Sequence, residues 1–158
     1  MNLVQLAPLW LIGIMCAALG TAAVEDVLRL RVSNVIVVVI MVAAAAAAGL
    51  AGLSLVLWEN FIVFVVLLAG GTMLFAGGKV GGGDVKLLAA VGLWMDLERA
   101  MILLAAVFIS GGLFALAVLI PRMVRRRTDL TIARGRAKGV PYAVAIALGA
   151  FIVIGLER

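Results

Sequence analysis

Two aspartates, Asp26 and Asp84, are the side chains of this sequence best suited to chemistry. Asp26 follows the first long apolar run, and Asp84 directly precedes a shorter one. Carboxylates beside apolar segments are costly unless they are paired or functional. Two close carboxylates do not easily ionise together, so one can act as a base while the other acts as an acid. For either aspartate alone, a solvated charge at a helix end is the simpler interpretation.

The residues before Asp84 strengthen the functional interpretation because they are rich in glycine. Glycine permits positive φ and close backbone approach, which suits a chain that bends beneath packed helices to present one side chain. A flexible linker is the alternative. A phosphate-binding loop fits poorly, since Met73 and Val80 stand where that motif needs Gly and Ser or Thr. Five of the seven residues before Asp84 are glycines: Gly77, Gly78, Gly81, Gly82 and Gly83.

The elements that must position these aspartates are membrane helices. Apolar residues make up 66% of the 158 residues and charged residues 13%, unlike a soluble domain. We therefore predict an all-α, polytopic membrane protein of about six transmembrane helices, forming a single domain over residues 1–158. A segment at 85–95 reaches only about 16 Å as a helix and is the weakest of the six. The other five predicted spans are 3–24, 32–53, 55–76, 100–120 and 140–156.

The distribution of basic residues predicts the orientation of these helices. With six crossings, 11 of the 13 Lys and Arg residues share a face with both aspartates, while Arg99 and Arg158 lie opposite. The positive-inside rule then places the aspartates at the cytoplasmic face and both termini outside. Trp58 and Trp94 would fall at the outer interface, with Trp10 near it. The 11 residues are Arg29, Arg31, Lys79, Lys86, Arg122, Arg125, Arg126, Arg127, Arg134, Arg136 and Lys138.

The basic charge also bears on partners. It is concentrated beside apolar runs, so we expect contact with the lipid bilayer and no nucleic-acid partner. The loop at 122–138 is expected to meet anionic headgroups. The sequence has no His and a single Cys, Cys16, so we expect no metal site and no cofactor. Nothing in the sequence specifies an oligomeric state.

Three segments, in chain order, resemble the type IV prepilin peptidases, which are GxGD intramembrane aspartyl proteases. DVLRLRVSN at 26–34 is similar to the first catalytic segment of that family, where an Asp is followed eight residues later by the Asn of an Ile-Pro-Asn triplet. GGGDVKLLAAVG at 81–92 resembles the GxGD signature, with Gly81, Gly83 and Asp84 in the motif positions. GVPYAVAIALGA at 139–150 resembles the Pro-Tyr segment that opens the last helix.

The sequence departs from the family pattern at two places. Val32 and Ser33 replace the Ile and Pro before Asn34, and Ala143 follows Tyr142 where Gly is common. Ser33 can still cap the second helix, so the first departure is compatible with the fold.

The resemblance implies an aspartic endopeptidase with Asp26 and Asp84 as catalytic residues. Its substrate would be a Flp-type or type IV prepilin or pseudopilin, cut after its leader at the cytoplasmic face of the inner membrane. The larger prepilin peptidases carry a cytoplasmic domain with paired Cys motifs and also methylate the new pilin N-terminus. This sequence lacks Cys pairs and resembles the short, protease-only branch associated with tight-adherence (Flp-type) pili, so no methyltransferase activity is expected.

Several other residues are weaker candidates for roles at the site. Lys86 can favour the charged form of Asp84 or contact a substrate carbonyl, although a snorkelling interfacial lysine is the simpler interpretation. Asn34 can orient Asp26 or cap a helix, and capping is the simpler role. Weak contacts with substrate or lipid are expected from Arg29, Arg31, Lys79 and Tyr142.

Two other functional classes stay open at this point. In a small ion-coupled transporter or channel the two aspartates would bind a cation, although such groups usually lie near the bilayer midplane and these lie at one edge. In a catalytically silent assembly subunit of a pilus or secretion system, the helices would be kept without need of either aspartate. Transport in proteoliposomes by both the wild type and a protease-dead variant would favour the transporter, and comparison of the aspartate variants separates the assembly subunit.

Overall fold

The computed structural model describes residues 2–52, 57–78, 80–126 and 142–157, and all regular structure in these ranges is α-helical, as predicted. Three helices contain segments long and apolar enough to cross a bilayer, namely α2, α4 and the Leu97–Ala117 part of α6. Two more, α3 and α7, are apolar but shorter. The chain is therefore a polytopic helical membrane protein. The helices are α1 Leu3–Leu6, α2 Leu9–Arg29, α3 Asn34–Leu50, α4 Leu57–Ala76, α5 Gly82–Gly92, α6 Leu97–Arg126 and α7 Tyr142–Leu156.

The first predicted span divides into two helices at Pro8. Pro8 has extended backbone and precedes α2, while the side chain of Asn2 caps the four-residue α1 through the amide of Val4, at 3.0 Å. At its other end α2 continues through Asp26 to Arg29, past the predicted end of the span. Hydropathy marks where the apolar run stops, but Glu, Leu and Arg are good helix formers, so the helix continues for more than a turn.

Helix α5 lies in the middle of the bundle and is short. It begins at Gly82, three residues before the predicted span, because Gly82 and Gly83 form its first turn and are not part of a loop. Its far end meets other elements: the side-chain amide of Asn60 donates to the Leu93 carbonyl, and the backbone amide of Leu3 donates to the Trp94 carbonyl, both at 3.0 Å. Helix α1 therefore covers the end of α5 within the bundle.

The position of Trp94 corrects the predicted aromatic belt. Trp10 and Trp58 are exposed, as residues facing lipid headgroups would be, but Trp94 is fully buried. Its indole Nε1 donates to the carbonyl of Ile40 at 3.2 Å, so the side chain joins α5 to α3. A buried Trp needs such an acceptor for its N–H group, and the middle of α3 supplies it.

Helices α6 and α7 pack antiparallel through small residues. The Arg99 Nε atom donates to Glu157 at 2.7 Å near one end, and Ser110 Oγ donates to the Ala145 carbonyl at 3.2 Å further along. Between them, the backbone of Gly149 lies against Val107. Close backbone approach through small residues is the usual way in which membrane helices associate.

The core lies between α2, α3, α5 and α7. The alanine run at 43–48 contributes one closely packed helix face, since Ala43, Ala44 and Ala47 are buried. Helix α5 is buried over most of its length, and the outer faces of α4 and α6 leave large apolar side chains exposed. This arrangement suits lipid on the outside and a central short helix that carries Asp84.

The contact between Gly149 and α6 gives a test of the packing. A Cβ at Gly149 would lie 2.8 Å from Val107 Cγ2 and 3.2 Å from the Val107 backbone nitrogen, whereas one at Gly155 would meet nothing within 4 Å. We expect Gly149→Ala to lower the melting temperature in detergent because α6 and α7 must separate. Gly155→Ala, on the same helix, should leave it unchanged or raise it through helix propensity. Equal melting temperatures for the two variants would contradict this packing.

Candidate active site

Asp26 lies near the end of α2 and is only 4% exposed. Its Oδ2 atom accepts a hydrogen bond from the backbone amide of Ala143, at 2.9 Å. Ala143 is in the first turn of α7, where amides have no partner within the helix and the helix dipole favours a carboxylate. Tyr142, which opens α7 and directly precedes Ala143, is half-buried. The last described helix thus fixes the orientation of the first aspartate.

Asp84 is the third residue of α5 and is 8% exposed. Its carboxylate accepts a hydrogen bond from the backbone amide of Gly81, the N-cap residue, as an acidic residue does in half of a capping box. A Cβ at position 81 would lie 2.7 Å from Asp84 Oδ2, so glycine is the residue that lets the carboxylate reach this amide. The other oxygen, Oδ1, is buried and accepts no hydrogen bond from the described residues.

Glycine is needed at position 83 for a different structural reason. A Cβ at this position would lie 3.1 Å from the Cβ of Val32 and 3.3 Å from its carbonyl oxygen. Val32 belongs to the connection between α2 and α3, which begins with Leu30 in the left-handed conformation at φ 53°. The absence of a side chain at Gly83 therefore lets the start of α5 lie directly against this connection.

The two aspartates meet at the same end of the bundle, and the charge of Asp26 acts on Asp84. Asp84 lies outside the helices that are long enough to cross a bilayer. Burial, and then the nearby Asp26, raise the pKa of Asp84 to about 7, against the opposing effect of the Gly81 amide. At neutral pH this carboxyl is therefore about half protonated, and it can donate a proton.

A groove lies between α2 and α7, the two helices joined by the Asp26 hydrogen bond. It has a volume of about 250 Å³ and is lined only by aliphatic side chains. The lining residues are Ala23, Val24, Val27, Leu28 and Val144.

Lys86 and Asn34, predicted separately, are in contact with each other. The Lys86 ammonium donates to the Asn34 side-chain oxygen at 3.1 Å, at an exposed position. The predicted capping role of Asn34 is wrong, because Ser33 is the N-cap of α3 and its hydroxyl accepts from the amide of Val35 at 3.3 Å. The role of Ser33 is thereby confirmed, and Lys86 has a protein partner that the snorkelling interpretation did not include.

Glu25 is a residue at the site that the sequence reasoning missed. Its Oε2 atom accepts a hydrogen bond from the backbone amide of Ser33, at 3.1 Å. In a capping box that amide would be bound by a Glu or Gln three residues into the helix, but Ile36 stands there. The combination of a Ser N-cap without its acidic partner was the available signal that an acceptor must come from elsewhere.

The remaining predicted residues are at the edge of the site or outside the described ranges. Arg29 and Arg31 are exposed at the end of α2 and in the connection that follows it. Lys79 and residues 127–141 lie outside the described residues, so most of the basic loop at 122–138 is not placed, and neither is Pro141.

A family model described as the type IV leader peptidase family matches residues 13–116. The chain belongs to this family. The match includes both aspartates and the glycine-rich approach to Asp84, while the Pro-Tyr segment at 139–150 lies beyond it. No curated protein and no solved structure matches the chain. The protein is therefore a membrane protease of the leader peptidase kind.

The raised pKa of Asp84 predicts how stability depends on pH. Because the folded-state pKa of about 7 lies above the ordinary aspartate value of 3.8, the contribution of Asp84 to stability is full below about pH 4 and is lost as pH rises through 7. Asn does not titrate, so Asp84→Asn should raise the melting temperature in detergent more at pH 8 than at pH 5. The exposed Glu98→Gln variant serves as control. The same gain at both pH values would contradict the raised pKa.

Proposed function

We propose that the protein is an aspartic endopeptidase that removes the leader peptide of a prepilin or pseudopilin, with Asp26 and Asp84 as its catalytic residues. The observation that carries this proposal is the meeting of two buried aspartates, from α2 and α5, at one end of the bundle. Membership of the leader peptidase family supplies the reaction class and implies prepilin substrates. The glycine-rich approach to Asp84 supports the assignment of the second carboxylate.

The geometry suggests different roles for the two aspartates. Asp26, oriented by the Ala143 amide, takes a proton from a water molecule as the water oxygen attacks the scissile carbonyl carbon. Asp84, protonated and with Oδ1 unbound by the described residues, gives its proton to the carbonyl oxygen. When the intermediate collapses, the proton held by Asp26 passes to the leaving amine. The peptide bond breaks, and Asp84 recovers its proton from the new hydroxyl.

The substrate site is proposed to face the cytoplasm at the inner membrane. Arg99 and Glu157 pair near the end of α7 opposite to Ala143, so the bundle has an Arg99 end and an aspartate end. The aspartate end carries Arg29, Arg31 and Lys86 and fits the cytoplasmic side by the positive-inside rule. This orientation places the start of α1 and the end of α7 on the outer side of the membrane. A carboxylate pair at this edge can reach the bond just before an inserted apolar helix.

Within the family, the proposed branch is the short one that acts on Flp-type pilins without methylating them. The presence of a single Cys, Cys16, supports this assignment because paired Cys motifs accompany the methylating enzymes. The transporter and assembly-subunit alternatives do not need a protonated and an ionised aspartate side by side.

Cleavage of a co-expressed Flp-type prepilin tests the proposal directly. We expect Asp26→Asn and Asp84→Asn each to lower cleavage by at least about 10³-fold, since removal of one member of a catalytic pair removes most of the acceleration. Gel shift and N-terminal sequencing of the product measure it, and Glu98→Gln at the opposite end is the control. Wild-type rates in both aspartate variants, with insertion verified, would overturn the assignment of Asp26 and Asp84 as the catalytic pair.

Thiol labelling tests the orientation. In a Cys16→Ser background, single cysteines are placed at two exposed positions, Arg31→Cys at the aspartate end and Glu98→Cys at the Arg99 end. An impermeant maleimide added to spheroplasts should label position 98 directly and position 31 only after the membrane is opened. The reverse pattern would place the site outside the cytoplasm and contradict the proposed topology.

A further inference from the structure

Three consecutive residues at the junction of α2 and α3, the last of them the first residue of α3, each contact a residue close in sequence to a proposed catalytic aspartate. We call residues 32–34 the spacer. Val32 packs against Gly83, the Ser33 amide donates to Glu25, and the Asn34 side chain accepts from Lys86. Glu25 adjoins Asp26 in sequence, while Gly83 and Lys86 flank Asp84. The spacer therefore contacts α2, which carries Asp26, on one side and α5, which carries Asp84, on the other.

The contact with Glu25 satisfies a backbone group that would otherwise lack a partner in the protein. The amide of an N-cap residue has no acceptor inside its own helix, and Ile36 cannot provide one for Ser33. Glu25 provides it from α2, which closes the turn that starts with Leu30 in the left-handed conformation. The other described hydrogen bond between this turn and α2 is the backbone cap from the Leu30 amide to the Asp26 carbonyl, at 2.8 Å.

The contacts with α5 transmit the position of the spacer to Asp84. Gly83 brings the α5 backbone to van der Waals distance of Val32, so a shift of the spacer moves the first turn of α5. Lys86 adds a hydrogen bond to Asn34, two residues further along the spacer. Asp84 lies between these two positions and must follow them.

We propose that Glu25 is a positioning residue for catalysis: through its bond to the Ser33 amide it holds the spacer at the place that sets Asp84 opposite Asp26. The inference rests on the proposed function. It assigns to Glu25 the role of a hydrogen-bond acceptor and not of a third acid or base, because the atom that it binds is a backbone amide with no proton to exchange in the reaction.

The backbone at Ser33 offers an independent way to replace the bond. Ser33 has φ −67° and ψ 134°, which is the conformation that proline imposes. Ser33→Pro would remove the amide that needs an acceptor and would restrict the turn to its present shape. Its cost is the Ser33 hydroxyl cap on Val35, about 1 kcal/mol.

The test compares kcat and KM for prepilin cleavage in four variants whose melting temperatures show that they fold. We expect Glu25→Ala to lower kcat about tenfold or more with little change in KM, because misplacement of a catalytic group affects the chemical step. Glu25→Gln, which keeps an acceptor oxygen without the charge, should stay within about threefold of wild type. Ser33→Pro should restore most of the activity of Glu25→Ala, and Glu98→Ala is the matched control.

The outcomes separate the two proposals. If Asp26→Asn is inactive but Glu25→Ala cleaves at the wild-type rate, the positioning role is overturned and the aspartic protease stands. If Glu25→Gln is as impaired as Glu25→Ala, or Ser33→Pro does not rescue, Glu25 acts through its charge and the inference is overturned. No cleavage by wild type would overturn both proposals.

Discussion

The site depends on one hydrogen bond, from the amide of Ala143 to the carboxylate of Asp26. A carboxylate beside apolar helices needs a donor, and the end of α2 offers none, since its unpaired groups are carbonyls that repel negative charge. The first turn of α7 has the opposite character, with free amides and a positive dipole end. Bringing Asp26 to this turn requires α7 to pack along α2, and the close contact between Gly149 and α6 in turn holds α7 in place. A long-range fold constraint therefore follows from the solvation of a single side chain.

The carboxylate of Asp84 also needs a hydrogen-bond donor, and it has one close by in sequence. Its donor is the Gly81 amide at the start of its own helix, and the helix can be short because its ends are covered by other elements. Both solutions use a helix start, so two helix N-termini converge at the aspartate end of the bundle. They differ in how well the carboxylate is satisfied. Asp84 keeps one buried oxygen without a hydrogen bond from the described residues, while burial and then the nearby Asp26 raise its pKa, as the proposed role in acid catalysis requires.

Much of this arrangement could be predicted from the sequence, because hydropathy and charge report on burial and sidedness. They indicated the helices and placed both aspartates at one end. Motif spacing identified Gly81 and Gly83, although the structure shows that one glycine clears a carboxylate and the other a neighbouring backbone. The contacts of Glu25, Lys86 and Asn34 could not be predicted, since their partners are 8 and 52 residues away in sequence and one of them is a backbone amide. The burial of Trp94 could not be predicted for the same reason, since its hydrogen-bond acceptor is a helix carbonyl, which no side-chain pattern reveals.

The two ends of the bundle show how stability and function are divided. At the Arg99 end, the Glu157 carboxylate accepts from both Arg99 and Gln5, so α1, α6 and the chain after α7 are joined by satisfied charges. At the aspartate end, two acidic groups share an apolar region, and each charge disfavours the other. A protein under selection for stability alone would replace one of them with an amide. The proposed catalytic roles of Asp26 and Asp84 account for two acidic groups lying together at this end, where Glu25 and the glycine contacts are placed to hold them.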